Sequence, residues 1–152
     1  MTLRSLLAPV LAVALAACDS GGPEVGRFES TLQTAPASQI VGTARFSQDR
    51  LVTPGTEIFL DGGRPVFWVR DPAGEIDGTG TFTLDASRDG VWMTYSADFL
   101  ASPVAELAVV GTLRITRFGE AEVEGRFEGD VQAPSGSRTP VEGRFVATRR
   151  AD

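Results

Sequence analysis

The chain of 152 residues has no histidine, no lysine and no asparagine, and it has a single cysteine and a single tyrosine. Each absence removes chemistry. Without His there is no Ser-His-Asp or Cys-His catalysis, no imidazole metal ligand and no imidazole pH switch. Without Lys there is no Schiff base and no phosphate-binding P-loop lysine. All 14 basic residues are Arg, set against 20 acids for a net charge of −6, and they form no basic cluster. An acidic chain of this kind is a poor nucleic-acid partner. Cys18 has no second cysteine to pair with, so an internal disulfide is excluded. Serines and threonines are frequent, but a hydroxyl nucleophile would lack its usual base. The expectation is a non-enzymatic protein without a cofactor. The missing Lys and Asn match the codon bias of a GC-rich genome and carry no functional message.

The chain begins Met1-Thr-Leu-Arg4, and twelve mostly apolar residues follow from Leu6 to Ala17. That is a short positive segment and an apolar core too short to cross about 30 Å of hydrocarbon, which are signal-peptide proportions. Leu15-Ala16-Ala17-Cys18 resembles the lipobox of bacterial lipoproteins. The resemblance implies cleavage before Cys18 and acylation of its thiol. The competing readings are an ordinary cleaved signal in which Cys18 is incidental and a buried N-terminal helix. Residues 1–17 are thus expected to be a lipoprotein signal peptide, residues 18–25 the lipidated cysteine and tether, and residues 26–152 a β-domain. The expected address is extracytoplasmic, in the bacterial cell envelope, with the lipid bilayer as a partner through the Cys18 anchor. More than one acyl chain gives stable anchoring where one gives a marginal grip. Asp19-Ser20-Gly21-Gly22-Pro23-Glu24 reaches roughly 20 Å when extended, so the domain stays near the headgroups. Removing Arg4 with the leader leaves 13 Arg against 20 acids, a balance that anionic headgroups repel.

Beyond residue 18 the recurring signal is period-two alternation broken by turn residues. In Glu122–Val131, Val123, Gly125, Phe127, Gly129 and Val131 fall on one face and Glu122, Glu124, Arg126, Glu128 and Asp130 on the other. A half-buried antiparallel strand separates residues this way, and a helix does not. Val141-Glu-Gly-Arg-Phe145 repeats Val123-Glu-Gly-Arg-Phe127. Pairing Val131 with Val141 would set Phe127 opposite Phe145 inside and Glu128 opposite Arg144 outside. A slide by two residues toward a tighter loop would instead oppose Arg126 to Arg144 and Glu128 to Glu142, which like charges disfavour. A slide by two the other way would oppose Asp130 to Arg144 but separate the two Phe. The first register is the one expected.

Further strands are expected at 27–32, 40–46, 56–60, 65–70, 79–84, 91–99 and 107–118, separated by Pro-Gly, Asp-Gly and Asp-Pro turns. Ser102-Pro103 would cap one helical turn. The fold class is all-β: a single antiparallel β-sandwich or small β-barrel of about eight to nine strands.

The stretch Gly111-Thr-Leu-Arg-Ile-Thr116, followed by the two Val-Glu-Gly-Arg-Phe strands, resembles the C-terminal pattern of small bacterial lipoproteins of unknown function, known chiefly from Bacteroidetes. The resemblance implies a lipid-anchored all-β domain and assigns no functional residue.

Three candidate sites remain. Asp85, Ser87 and Asp89 followed by Gly90 resemble the first half of a calcium loop, but position twelve is Ser96 where a bidentate acid is needed. The competing reading is a hairpin turn with Asp89-Gly90 in the left-handed positions. In the strand from Val91 to Phe99, Trp92, Thr94 and Asp98 point away from an apolar set that includes Phe99. With Trp68 they could form a surface for a sugar or other small ligand; the alternative is that Trp92 packs under a loop. The pairs Glu120/Glu122 and Glu122/Glu124 sit on a solvent face and lack the shared cleft that glycosidase chemistry needs. The leading expectation is a binding or envelope-assembly module with an envelope protein or small ligand as partner. The runner-up is a small-ligand or carbohydrate carrier with an aromatic-lined pocket.

Overall fold

In the computed structural model the described residues are 22–48 and 55–151; the leader, Cys18 and the first half of the tether lie outside them. The nine strands are β1 (Arg27–Leu32), β2 (Ser38–Gln48), β3 (Thr56–Asp61), β4 (Val66–Asp71), β5 (Gly80–Leu84), β6 (Trp92–Ser96), β7 (Leu107–Phe118), β8 (Glu122–Gln132) and β9 (Arg138–Arg149). Neighbours pair antiparallel in the order β1-β2-β3-β4-β6-β7-β8-β9, and β9 returns to β1. The sheet is therefore a closed eight-strand barrel. Closure removes the unpaired edges that an open sheet would expose.

β5 and β6 run one after the other along the same side of β7. β5 lies against Gly111–Ile115 and β6 against Leu107–Val109, with the Asp85–Val91 excursion between them. Beside this broken stave the Asp71–Gly78 loop turns inward. Asp71 is buried, and its two carboxylate oxygens accept the backbone N–H groups of Glu75 and Ile76, both at 2.8 Å. The Thr56 hydroxyl donates to the Ile76 carbonyl at 3.2 Å. These bonds seat Ile76, 2% exposed, as an apolar plug.

An eight-stranded barrel is just wide enough for its own side chains to fill, and here they do. Phe28, Phe46, Phe67, Phe127 and Phe145 are buried with Ile58, Leu60, Met93 and Leu113 in one continuous cluster. The alternation carries Arg, Glu and Thr to the outside, as in Arg114, Arg126, Glu128 and Arg144, all exposed. An apolar interior under a charged exterior is the opposite of the polarity that a membrane-spanning barrel needs.

The β8–β9 register corrects the expectation. Phe127 lies opposite Gly143 and Phe145 opposite Gly125, so Arg126 faces Arg144 and Glu128 faces Glu142. Each ring occupies the space over the glycine across from it. A Cβ at Gly143 would fall 2.5 Å from Phe127 Cζ, and one at Gly125 would fall 2.7 Å from Phe145 Cζ. In the expected register neither ring would have a glycine across from it, and Gly129 would face Gly143 and leave a gap. Both registers bury the rings, but only this one gives each ring a glycine to cover; a misfit in a packed interior costs about 1–3 kcal/mol, against about 0.2–1 kcal/mol for an exposed cross-strand charge pair. Packing wins.

Three smaller expectations also change. The sixth strand ends at Ser96, and Phe99 turns outward to meet Phe59 and Trp68 at 5.6 and 6.4 Å. The Ser102–Glu106 segment has no helical turn; Phe99 N–H bonds the Arg64 carbonyl and Glu106 is drawn toward Arg70, which holds the stretch open. In the Asp85–Gly90 turn the positive φ belongs to Arg88, at 65°, and not to Asp89 or Gly90.

Gly143→Ala should destabilise the domain by about 1–3 kcal/mol, because the added methyl displaces Phe127 in a filled interior; an unchanged denaturation midpoint would contradict the ring-over-glycine account. Tyr95, the one tyrosine, is buried against Phe67 at 5.0 Å, and desolvation raises its hydroxyl pKa above the ordinary 10.0. A raised folded-state value means that stability is complete below pH 10.0 and falls as pH climbs through the folded pKa. Phenolate absorbance in the native protein should therefore rise with a midpoint above that of free tyrosine.

Candidate functional site

The aromatic candidates share one outer region but are differently engaged. Trp68 pairs across strands with Thr94, and Arg70 with Trp92. The Arg70 guanidinium carbon sits 3.3 Å from the centre of the Trp68 ring and 4.8 Å from that of Trp92, and Arg88 covers Trp92 at 4.7 Å. Both arginines approach Glu106 at 4.0 Å. Trp92 and Thr94 are buried, at 7% and 3% exposure. The stacked guanidiniums hold the Asp85–Val91 excursion over the break between β5 and β6, each contact worth about 0.5–2 kcal/mol. Trp68 stays half-buried, edge-on to Phe59 at 5.7 Å. Asp98 is not part of this group: it lies beyond the strand end, paired with Arg64 at 3.4 Å, and its carboxylate accepts Leu100 N–H.

At the calcium-like phrase, Asp85 Oδ1 accepts both the backbone N–H and the hydroxyl of Ser87, and the Ser87 hydroxyl oxygen accepts Asp89 N–H. These bonds hold the Asp85 carboxyl below its ordinary range. They make a local turn. Among the described residues no three His, Cys, Asp or Glu side chains gather as a metal site.

A concavity lies elsewhere, on the outer face of β2-β1-β9-β8-β7-β5, as a groove of about 730 Å³. Two rows of cross-strand neighbours form its floor. One runs Thr81–Arg114–Arg126–Arg144–Glu29–Val41, and the other runs Thr112–Glu128–Glu142–Thr31–Gln39. Arg144 is bound to Glu29 at 2.6 Å. Arg114 and Arg126 make no ion pair among the described residues, nor do Glu128 and Glu142. Reading the sequence alone missed this site, because the charge rows exist only in the register that charge pairing disfavours. The signal available was the repeated Gly-Arg-Phe, since reciprocal Gly-over-Phe packing stacks the two intervening arginines.

Comparison with known proteins found no matching family model, no matching curated protein and no matching solved structure.

Replacing Arg126 with Gln relieves repulsion from both Arg114 and Arg144, so stability should hold or rise by up to about 0.5 kcal/mol. Glu29→Gln strips Arg144 of its partner and should lower stability by a similar amount. Thermal melts of the two variants should move in opposite directions, and a large loss in Arg126→Gln would show that the row is not repulsive.

Proposed function

We propose that this protein is a lipid-anchored, non-enzymatic binding module of the bacterial envelope, which engages its ligand or partner on the outside of the barrel. The observation that carries the outside-binding reading is the filled interior: five buried phenylalanines occupy the space a barrel-type carrier would keep open, while the groove lies on the outer face. The anchoring half of the reading rests on the lipobox-like Leu15-Ala16-Ala17-Cys18 and the polar tether after it.

The placement of Gly26, just before β1, agrees with such an anchor. Strands alternate in direction, so the start of β1 shares one end of the barrel with the ends of β2 and β9. Gly26 enters there, donating its N–H to Val146 at 2.7 Å and accepting from Ala44 at 2.8 Å. The 97–106 loop, with Leu100 76% exposed, lies at the opposite end. A tether of roughly 20 Å would hold the first end toward the bilayer and leave the groove on the flank and the Leu100 loop pointing away. The carrier reading has less support: Trp92 is buried, and Arg70 covers Trp68.

Cys18→Ser should move the protein from the membrane to the soluble fraction on cell fractionation. Retention as firm as that of wild type would defeat the anchor. For the filled interior, an environment-sensitive apolar dye should gain no fluorescence with the native protein; stoichiometric uptake would revive the carrier.

A further inference from the structure

We propose that the outer groove binds a zwitterionic ligand, with an oxyanion of phosphate or carboxylate type between Arg114 and Arg126 and an ammonium between Glu128 and Glu142. The inference rests on the groove being the binding surface and names the chemistry it takes.

Arg114 and Arg126 are direct cross-strand partners, as are Glu128 and Glu142. Such neighbours carry their Cβ atoms about 4.5–5.5 Å apart. Two guanidiniums rooted that closely can both reach one oxyanion, and their planar forks suit its oxygens. Two carboxylates rooted likewise can share the three donors of one ammonium. All four side chains are exposed and without an ion pair among the described residues. In the free protein each pair is therefore a repulsion that a bound counter-charge converts into attraction. Thr81 and Thr112 also line the groove, Thr81 as the direct neighbour of Arg114 and Thr112 as that of Glu128, and their hydroxyls can donate to an oxyanion or accept from an ammonium.

Charge balance selects a zwitterion over a simple anion. Arg114, Arg126 and Arg144 stand against Glu29, Glu128 and Glu142, so the groove has no net charge, and the chain as a whole carries −6. A bare anion meets repulsion from the whole chain and from the glutamate pair beside its seat. A bare cation meets the arginines. A ligand with both charges meets complementary groups at each end. The two rows are two residues apart along the strands, roughly 6.6–6.8 Å, which a chain of two to four atoms between the charged groups spans once the side chains lean together.

The test is calorimetric titration of the full chain with four probes: O-phosphoethanolamine, γ-aminobutyrate, inorganic phosphate and ethanolamine. One of the two zwitterions should bind with a Kd of about 1 mM or tighter, at least about tenfold tighter than phosphate or ethanolamine alone. Which of the two wins distinguishes a phosphate from a carboxylate ligand. Arg126→Gln and Glu128→Gln, each checked for a melting temperature no lower than that of wild type, should weaken that binding by about tenfold or more. Arg117→Gln should leave it unaltered, since Arg117 pairs outside the groove with Glu122 and Glu124. Inorganic phosphate binding as tightly as either zwitterion, and lost in Arg126→Gln, would overturn the zwitterion and leave the groove as a binding surface. Zwitterion binding untouched by both charge variants would overturn the groove as well. No binding by any of the four probes would overturn the ligand class proposed here, while the anchor stands or falls on Cys18 alone.

Discussion

The reciprocal packing of Phe127 over Gly143 and of Phe145 over Gly125 is the contact on which the rest of the barrel depends. It sets the register between the two long strands that close the sheet, and β9 passes that register to β1 through Phe145 opposite Phe28. A shift by two residues would take the glycine away from each ring and set Gly129 opposite Gly143, with a hole between the strands. Interiors this small have no slack to absorb either error. The price is paid outside, where Arg114, Arg126 and Arg144 line up across three strands and, among the described residues, Arg144 alone of the three has an ion pair, with Glu29 on β1.

That trade also shapes the outer surface. Among the described residues the interior is packed with five phenylalanines and their aliphatic neighbours. The broken stave formed by β5 and β6 is the weak point of the closure. It is sealed from below by Ile76, held by Asp71 and Thr56, and from outside by Trp92 under the guanidiniums of Arg70 and Arg88. The aromatics that stand out most in the sequence are thus engaged in closing the wall. The charged groove, built from residues that look like ordinary surface in any single strand, is what remains open to solvent.

Much of the fold was legible from alternation alone. The first and seventh strands run as expected over Arg27–Leu32 and Leu107–Phe118, because period-two patterning with turn residues at each end is a local property. The groove was not legible. Its rows join residues from up to six strands, and which residues become neighbours depends on a register decided by ring volume on the hidden face. Judged by charge alone, Glu128 belongs with Arg144; judged by volume, Phe127 belongs with Gly143, and the buried term is the larger. Phe99 shows the same limit at a strand end. Alternation places it inside, but the strand stops at Ser96 and the Asp98 turn sends it outward to Phe59.

Read along the chain alone, the residues specify the all-β class, the inward and outward faces of the strands, the exclusion of His- and Lys-dependent chemistry, and the lipobox-like segment on which the proposed anchor rests. Those properties are written in local pattern and composition, which need no knowledge of what lies across the sheet. Closure of the sheet, the packing of its interior and the placing of arginine beside arginine on its flank arise when the strands assemble. Those outcomes depend on how five phenylalanines and their facing glycines share one small volume, and volume is settled between strands rather than along them.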